Sequence, residues 1–140
     1  MKTSIWFMSA GRRFSWLLVA ALTLLCTALM QNADAGDRSW MAKVPAKDHA
    51  RTNPYGQNKE SISAGRRIFV EHCAQCHGEN GEGREKRPSL RSDLIQVGVS
   101  EGDLHWLLVN GSMRKGMPSW AKLPDPQLWQ LVSYIKSLHE

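Results

Sequence analysis

A chain of 140 residues with 18 Lys+Arg and 13 Asp+Glu is long enough for one ordinary domain, and its formal charge of +5 is mild. Residues 36–140 keep 15 basic and 12 acidic side chains, a balance too even for a nucleic-acid surface, so no nucleic-acid partner is expected. Of three cysteines only Cys73 and Cys76 lie beyond residue 35, which excludes a multi-bridge disulfide framework.

Residues 1–35 read as a cleaved secretory signal peptide. Lys2, Arg12 and Arg13 form a positive n-region, 14–30 is rich in leucine and alanine, and Ala33-Asp34-Ala35 offers the small residues of a cleavage site. The apolar stretch is 17 residues long and contains Ser15 and two threonines, short for a membrane span of ~20 residues. Export to the periplasm is therefore expected, without stable membrane insertion after cleavage. An uncleaved membrane anchor is the rival reading.

Residues 36–60 mix charges with Pro45, Asn53, Pro54, Gly56 and Asn58 and show no apolar period. They read as an extended N-terminal arm, pinned by Trp40 and Tyr55. The domain proper is expected over 61–140, with three helices. Ser61 or Ser63 caps the first, in which Ile62, Ile68 and Phe69 make an apolar face running into Glu71-His72-Cys73. Ser100 with Asp103 is a capping-box start for the second, which carries Leu104, Leu107 and Leu108 and stops at Asn110-Gly111. Asp125 caps the third, Pro126 occupies its first turn, and Leu128, Leu131, Val132, Ile135 and Leu138 follow a 3.6-residue period.

Two long loops, 78–99 and 111–124, are rich in glycine, proline and charge. An 80-residue domain with such loops rarely gains more than ~3–5 kcal/mol from its own core, so part of the interior is expected to be something other than protein.

EHCAQCHG names it. Cys73 and Cys76 share a helix face, and His77 follows directly: C-x-x-C-H is the attachment sequence of a c-type haem, with two thioether links and a proximal imidazole. A thioredoxin-like pair should follow a strand in a βαβ pattern, which is absent. A structural zinc site needs a second ligand pair, and scattered His49, His72, His105 and His139 do not make one. A Cys73–Cys76 disulfide would close a loop too small to add much.

The opposite iron position points to the stretch GSMRKGMPSW. Met117 lies between Gly116, which has no side chain to collide with a porphyrin, and Pro118, which biases it to extended backbone. Met113 precedes Arg114 and Lys115, charges costly to draw against an apolar ring, and reads as loop packing or surface. Met117 is therefore the expected sulfur ligand, and Met41 a remote alternative.

Taken together, Gly65-x-x-Ile68-Phe69, Cys73-Ala-Gln-Cys76-His77-Gly78, Pro88-Ser-Leu90, Gly116-Met117-Pro118-Ser-Trp120 and Trp129-x-x-x-x-Tyr134-Ile-x-x-Leu138 resemble the monohaem class I c-type cytochromes of bacterial periplasms. The resemblance covers about 61–139 and implies an all-α fold, three main helices and long loops wrapped around one haem c. It implies a close helix crossing at Gly65 with Phe69 against Trp129 or Tyr134. It also implies that the Pro88 carbonyl accepts a hydrogen bond from His77 Nδ1–H. Trp120 either lines the haem pocket near a propionate or packs the core. His105 reads as a hydrogen-bonded packing residue, and His72 as a rival ligand only if Met117 failed.

His77/Met117 ligation leaves no vacancy at iron, so a one-electron carrier, monomeric and not an enzyme, is expected. It would shuttle electrons from a donor dehydrogenase to an acceptor oxidase or reductase. Arg84, Lys86, Arg87, Arg91, Arg114 and Lys115 would rim the haem edge as a modest positive docking surface, diluted by Glu79, Glu82 and Glu85. The alternatives are an electron-transfer subunit docked in a larger oxidoreductase, and a gas-binding haem sensor with a labile distal ligand.

Overall fold

The computed structural model describes residues 39–85 and 87–138; the expected leader, Lys86 and His139 lie outside the described residues. The described residues are helical. They contain no strand, only isolated antiparallel bridges at Arg84–Arg87 and Ser112–Met117. A 3₁₀ turn at Met41–Lys43 precedes α1 (Ala46–His49), α2 (Lys59–His72), α3 (Ala74–His77), α4 (Asp93–Gln96) and α5 (Glu101–Asn110). A second 3₁₀ turn at Met113–Lys115 then leads to α6 (Asp125–Lys136).

Three of these helices carry the core. The cap of α2 is Asn58, whose side chain accepts from the Ser61 backbone N–H at 2.8 Å. The helix thus starts before the expected Ser61, which is buried in its first turn. Asparagine is among the best caps because its carbonyl reaches an unpaired N–H of that turn. α5 opens on the expected capping box: Ser100 Oγ accepts from Asp103 N at 3.1 Å, and the Asp103 carboxylate accepts from Ser100 N at 3.0 Å. α6 starts at Asp125, but Pro124 occupies the cap position. The Asp125 carboxylate does not cap its helix; it accepts from Trp129 Nε1 at 3.1 Å and from His105 Nε2 at 2.8 Å.

α2 and α6 make the most extensive helix–helix contact of the fold. Gly65 faces α6 so closely that a Cβ there would lie 1.9 Å from the Gln130 carbonyl oxygen. A missing side chain is the condition for that crossing. One turn on, Phe69 is fully buried against Tyr134, ring centroids 5.1 Å apart and tilted by 58°. Trp129, Leu131, Val132 and Ile135 of α6 join Leu104 and Leu108 of α5 in the same cluster.

The arm is not extended. Residues 39–58 hold two short helical turns and fold back over α5 and α6 through polar contacts. Its prolines and asparagines are turn and anchor residues, not linker. Asn53 is buried, and its amide donates to the Trp129 carbonyl at 3.1 Å and to Ser133 Oγ at 2.8 Å. Trp40 packs against the core as expected, whereas Tyr55 is exposed. The 78–99 loop contains α4, whose last carbonyls need donors. Lys136 supplies them, its Nζ donating to the carbonyls of Ile95, Gln96 and Val99 at 2.9, 2.7 and 2.6 Å.

His105 is the hinge of the arm contacts. Arg51 Nη1 donates to its Nδ1 at 3.2 Å, so Nδ1 is the acceptor and Nε2 carries the proton given to Asp125. The ring stacks on Trp129 at 4.2 Å, and Arg51 lies 4.9 Å over the same indole. Burial, and Arg51 beyond it, hold the imidazole below its ordinary 6.5, against the pull of Asp125. Burial of Asp103 opposes its ionisation, yet its hydrogen bonds with His49 and Ser100 hold it below the usual carboxylate value.

Two outcomes are expected. Gly65→Ala should cost about 1–3 kcal/mol in chemical denaturation of the haem-loaded protein, because α6 must move to admit a methyl group. Both His105 and Asp103 have depressed folded-state values, so their stabilisation is complete above the unfolded values and is lost as pH falls through the folded ones. The denaturation midpoint should therefore drop below about pH 6.5, and His105→Gln should flatten that first part of the slope.

Candidate haem site

The attachment sequence occupies one helical turn. Cys73 ends α2 and caps α3, so the chain bends there, and the backbone N–H groups of Cys76 and His77 both donate to the Cys73 carbonyl. That turn puts the two sulfurs, three residues apart, on one face. Both thiols are free; Cys73 is half-buried and Cys76 exposed. Burial, with Cys76 adding to it, pushes the Cys73 thiol up to about 12. It is held as a neutral thiol.

His77 leaves the same turn. Its Nδ1–H donates to the Pro88 carbonyl at 3.3 Å, and since a carbonyl can only accept, this contact places the ring proton on Nδ1. Nε2 is left with its lone pair, as a metal-binding imidazole requires. Burial lowers the basicity of His77, and the nearby Arg87 cation lowers it further against the opposing pull of the Pro88 carbonyl. The imidazole is therefore neutral near pH 7. The loop is tied back by Gly83 N–H donating to the His77 carbonyl at 2.7 Å and Leu90 N–H to the Gly81 carbonyl at 2.8 Å.

Met117 sits in a small closed loop. Ser112 and Met117 exchange backbone hydrogen bonds at 2.8 and 3.1 Å around the Met113–Lys115 turn, and Gly116 reverses the chain with φ +72°. A residue with a Cβ is strained there. Met117 is half-buried against the core, whereas Met113 is 74% exposed. The two methionines of one loop thus differ in surroundings. Trp120 packs against the core, its ring 5.1 Å from that of His72, and its backbone N–H donates to the Leu108 carbonyl at 2.9 Å.

The donor set fits a c-type haem. Two reduced thiols on one helical face, an imidazole with a free Nε2 and a half-buried thioether match the covalent links and axial donors that such a group takes. Sequence reasoning missed how Arg87 enters this arrangement. Its guanidinium donates to the Lys115 carbonyl across the two loops and lies against Gly116. Of the expected cationic rim, Arg84, Arg114 and Lys115 are exposed, and Arg87 is drawn into this contact. No spacing rule links residue 87 to residue 115.

The family model described as cytochrome C oxidase, cbb3-type, subunit III matches residues 60–135, from the start of α2 almost to the end of α6. The chain belongs to this family. It is a c-type cytochrome, and its cofactor is covalent haem c. Similar curated proteins include the cbb3-type cytochrome c oxidase subunit CcoP of Azospirillum sp. (strain B510), 25% identical over 79% of this chain and 42% of that protein. Subunit FixP of Bradyrhizobium sp. (strain ORS 278) is 35% identical over 54% of this chain and 27% of its own length. Subunit CcoP of Rhodobacter capsulatus is 33% identical over 59% and 32%. The chain therefore spans about a quarter to two-fifths of these relatives.

These relatives correct two expectations. All are named as subunits of an oxidase, an enzyme complex, which overturns the assignment of the chain to a class outside enzymes. The same names contradict the expected monomer. No helix among the described residues is long and apolar enough to cross a membrane.

The choice between sulfurs is open to a direct check. Met117→Ala should abolish the sulfur-to-ferric-iron charge-transfer band and lower the reduction potential, while Met113→Ala should leave both in place. Optical spectra and a redox titration of the matured protein read both, and the reverse pattern would assign the ligand to Met113.

Proposed function

We propose that this chain is the electron-transfer cytochrome c component of a cbb3-type oxidase assembly. The observation that carries the reading is the family match over 60–135, which contains the C-x-x-C-H turn, the His77–Pro88 contact and the Met117 loop. The finer reading is a class I fold holding one haem, with His77 and Met117 at the iron and Cys73 and Cys76 as its tethers. Pro88 orients His77. Trp120, packed beside His72, would line the haem pocket. The haem domain works in the periplasm, after export directed by residues 1–35.

When bound, the haem supplies a one-electron couple. The chain's own residues hold its surroundings constant between the two states. His77 keeps its Nδ1 proton on Pro88, the Ser112–Met117 bridge seats the thioether, and the buried face of α2 against α6 excludes water from that side. A fixed environment keeps reorganisation small, and a neutral thioether favours the ferrous state, raising the potential. Electrons would enter from a donor such as a dehydrogenase and leave toward the oxidase. The exposed Arg84, Arg114 and Lys115 would guide an acidic partner to the site.

Docking in an assembly is favoured over a free shuttle because the relatives are named as oxidase subunits. Native membranes solubilised in mild detergent should yield the chain, detected by haem stain, in one peak with oxygen-consuming activity. Recovery of all of it in the soluble periplasmic fraction, apart from that activity, would establish the shuttle instead.

A further inference from the structure

We infer that Arg87 is a positioning residue that ties the loop carrying Met117 to the loop that orients His77. The inference rests on Met117 as the sulfur ligand. Arg87 and Pro88 are consecutive, and they reach in different directions. The Pro88 carbonyl accepts from His77 Nδ1, while the Arg87 guanidinium donates to the Lys115 carbonyl, two residues before Met117. One dipeptide therefore touches both His77 and the loop that carries Met117.

The root of this strap is held. The Arg87 backbone N–H donates to the Arg84 carbonyl at 2.7 Å and closes the Arg84–Arg87 bridge, so the side chain starts from a fixed point. Its landing site is prepared as well. The Met113–Lys115 turn ends at Lys115, and the carbonyls ending such a turn carry partial negative charge and need donors. Gly116 follows in left-handed conformation, and a Cβ there would meet Arg87 Nη2 at 3.0 Å and Nη1 at 3.1 Å. The guanidinium lies in the space that a side chain at 116 would use. A planar fork with five donors suits this flat seat; an ammonium on a flexible stem does not reproduce it.

Two consequences separate this role from generic packing. Loss of the fork should loosen the Met117 loop without loosening the α2–α6 core, which Arg87 does not touch through any of these contacts. Loss of the cation should shift the redox equilibrium, because a positive charge held between the two loops favours the less positive ferrous iron. Arg87→Lys keeps the charge and loses the fork; Arg87→Gln loses both.

The test uses the haem-loaded full chain. In both variants the charge-transfer band should disappear at lower temperature than in the unmutated protein, while far-UV helix melting stays in place. Carbon monoxide should bind ferrous protein roughly tenfold faster or more, the population change expected from losing one hydrogen bond to a charged donor. The potential should fall in Arg87→Gln and hold in Arg87→Lys. If Met117→Ala loses the band but both Arg87 variants match the unmutated protein in band persistence and carbon monoxide rate, the ligand reading stands and the strap is overturned. Parallel loss of band and helix would also overturn it, reducing Arg87 to general framework. Retention of the band in Met117→Ala would remove the ligand reading, and the strap with it.

Discussion

The carbonyl of Gln130 lies where a side chain at residue 65 would begin, and this closeness of α6 to α2 determines where α2 can end. Because the helices touch backbone to backbone, Phe69 is driven fully into the core one turn later, and the helix ends one turn beyond it at Cys73. The bend at Cys73 then aims α3, and with it two thiols and an imidazole, to one side of the pair. A shift in the crossing would move all three donors together. The site is in this sense an extension of the core rather than a loop laid on it.

In the Met117 loop, the protein uses different means. The Met117 loop has few apolar side chains of its own, and its shape comes from backbone: a bridge between Ser112 and Met117, a 3₁₀ turn and one left-handed glycine. Such a loop belongs to the low-stability end of a fold. Contacts from outside therefore matter more to it than to α2 or α6, and both Trp120 against the core and Arg87 from the first loop are of that kind. On the proposed ligation, this asymmetry would leave one firm ligand and one that depends on its neighbours.

The arm adds a third element. His49 pairs with Asp103, Arg51 with His105, and Asn53 with Trp129 and Ser133, so each of three nearby arm residues ends on a polar group of α5 or α6. Buried polar groups left unpaired are costly, and the arm satisfies several that the helices alone would leave open. The region outside the strongest sequence patterns is thus part of the helical unit.

The sequence alone determined the chemistry and the helical frame. C-x-x-C-H is local, so its meaning survives without coordinates, and the capping box at Ser100, the period of α6 and the glycine at 65 are short-range signals of the same sort. Even the preference for Met117 over Met113 came from immediate neighbours. The cap of α2 was also legible, in Asn58, but it stands in a stretch without apolar period that reads as an extended arm. What only the tertiary structure decided are meetings between residues far apart in the chain: Asn53 with Ser133, His105 with Asp125 and Arg51, and Arg87 with Lys115. Each of those side chains is polar and, viewed along the chain, indistinguishable from a solvated surface residue. Which of them finds a buried partner depends on how the helices cross, and that is a property of the packed molecule.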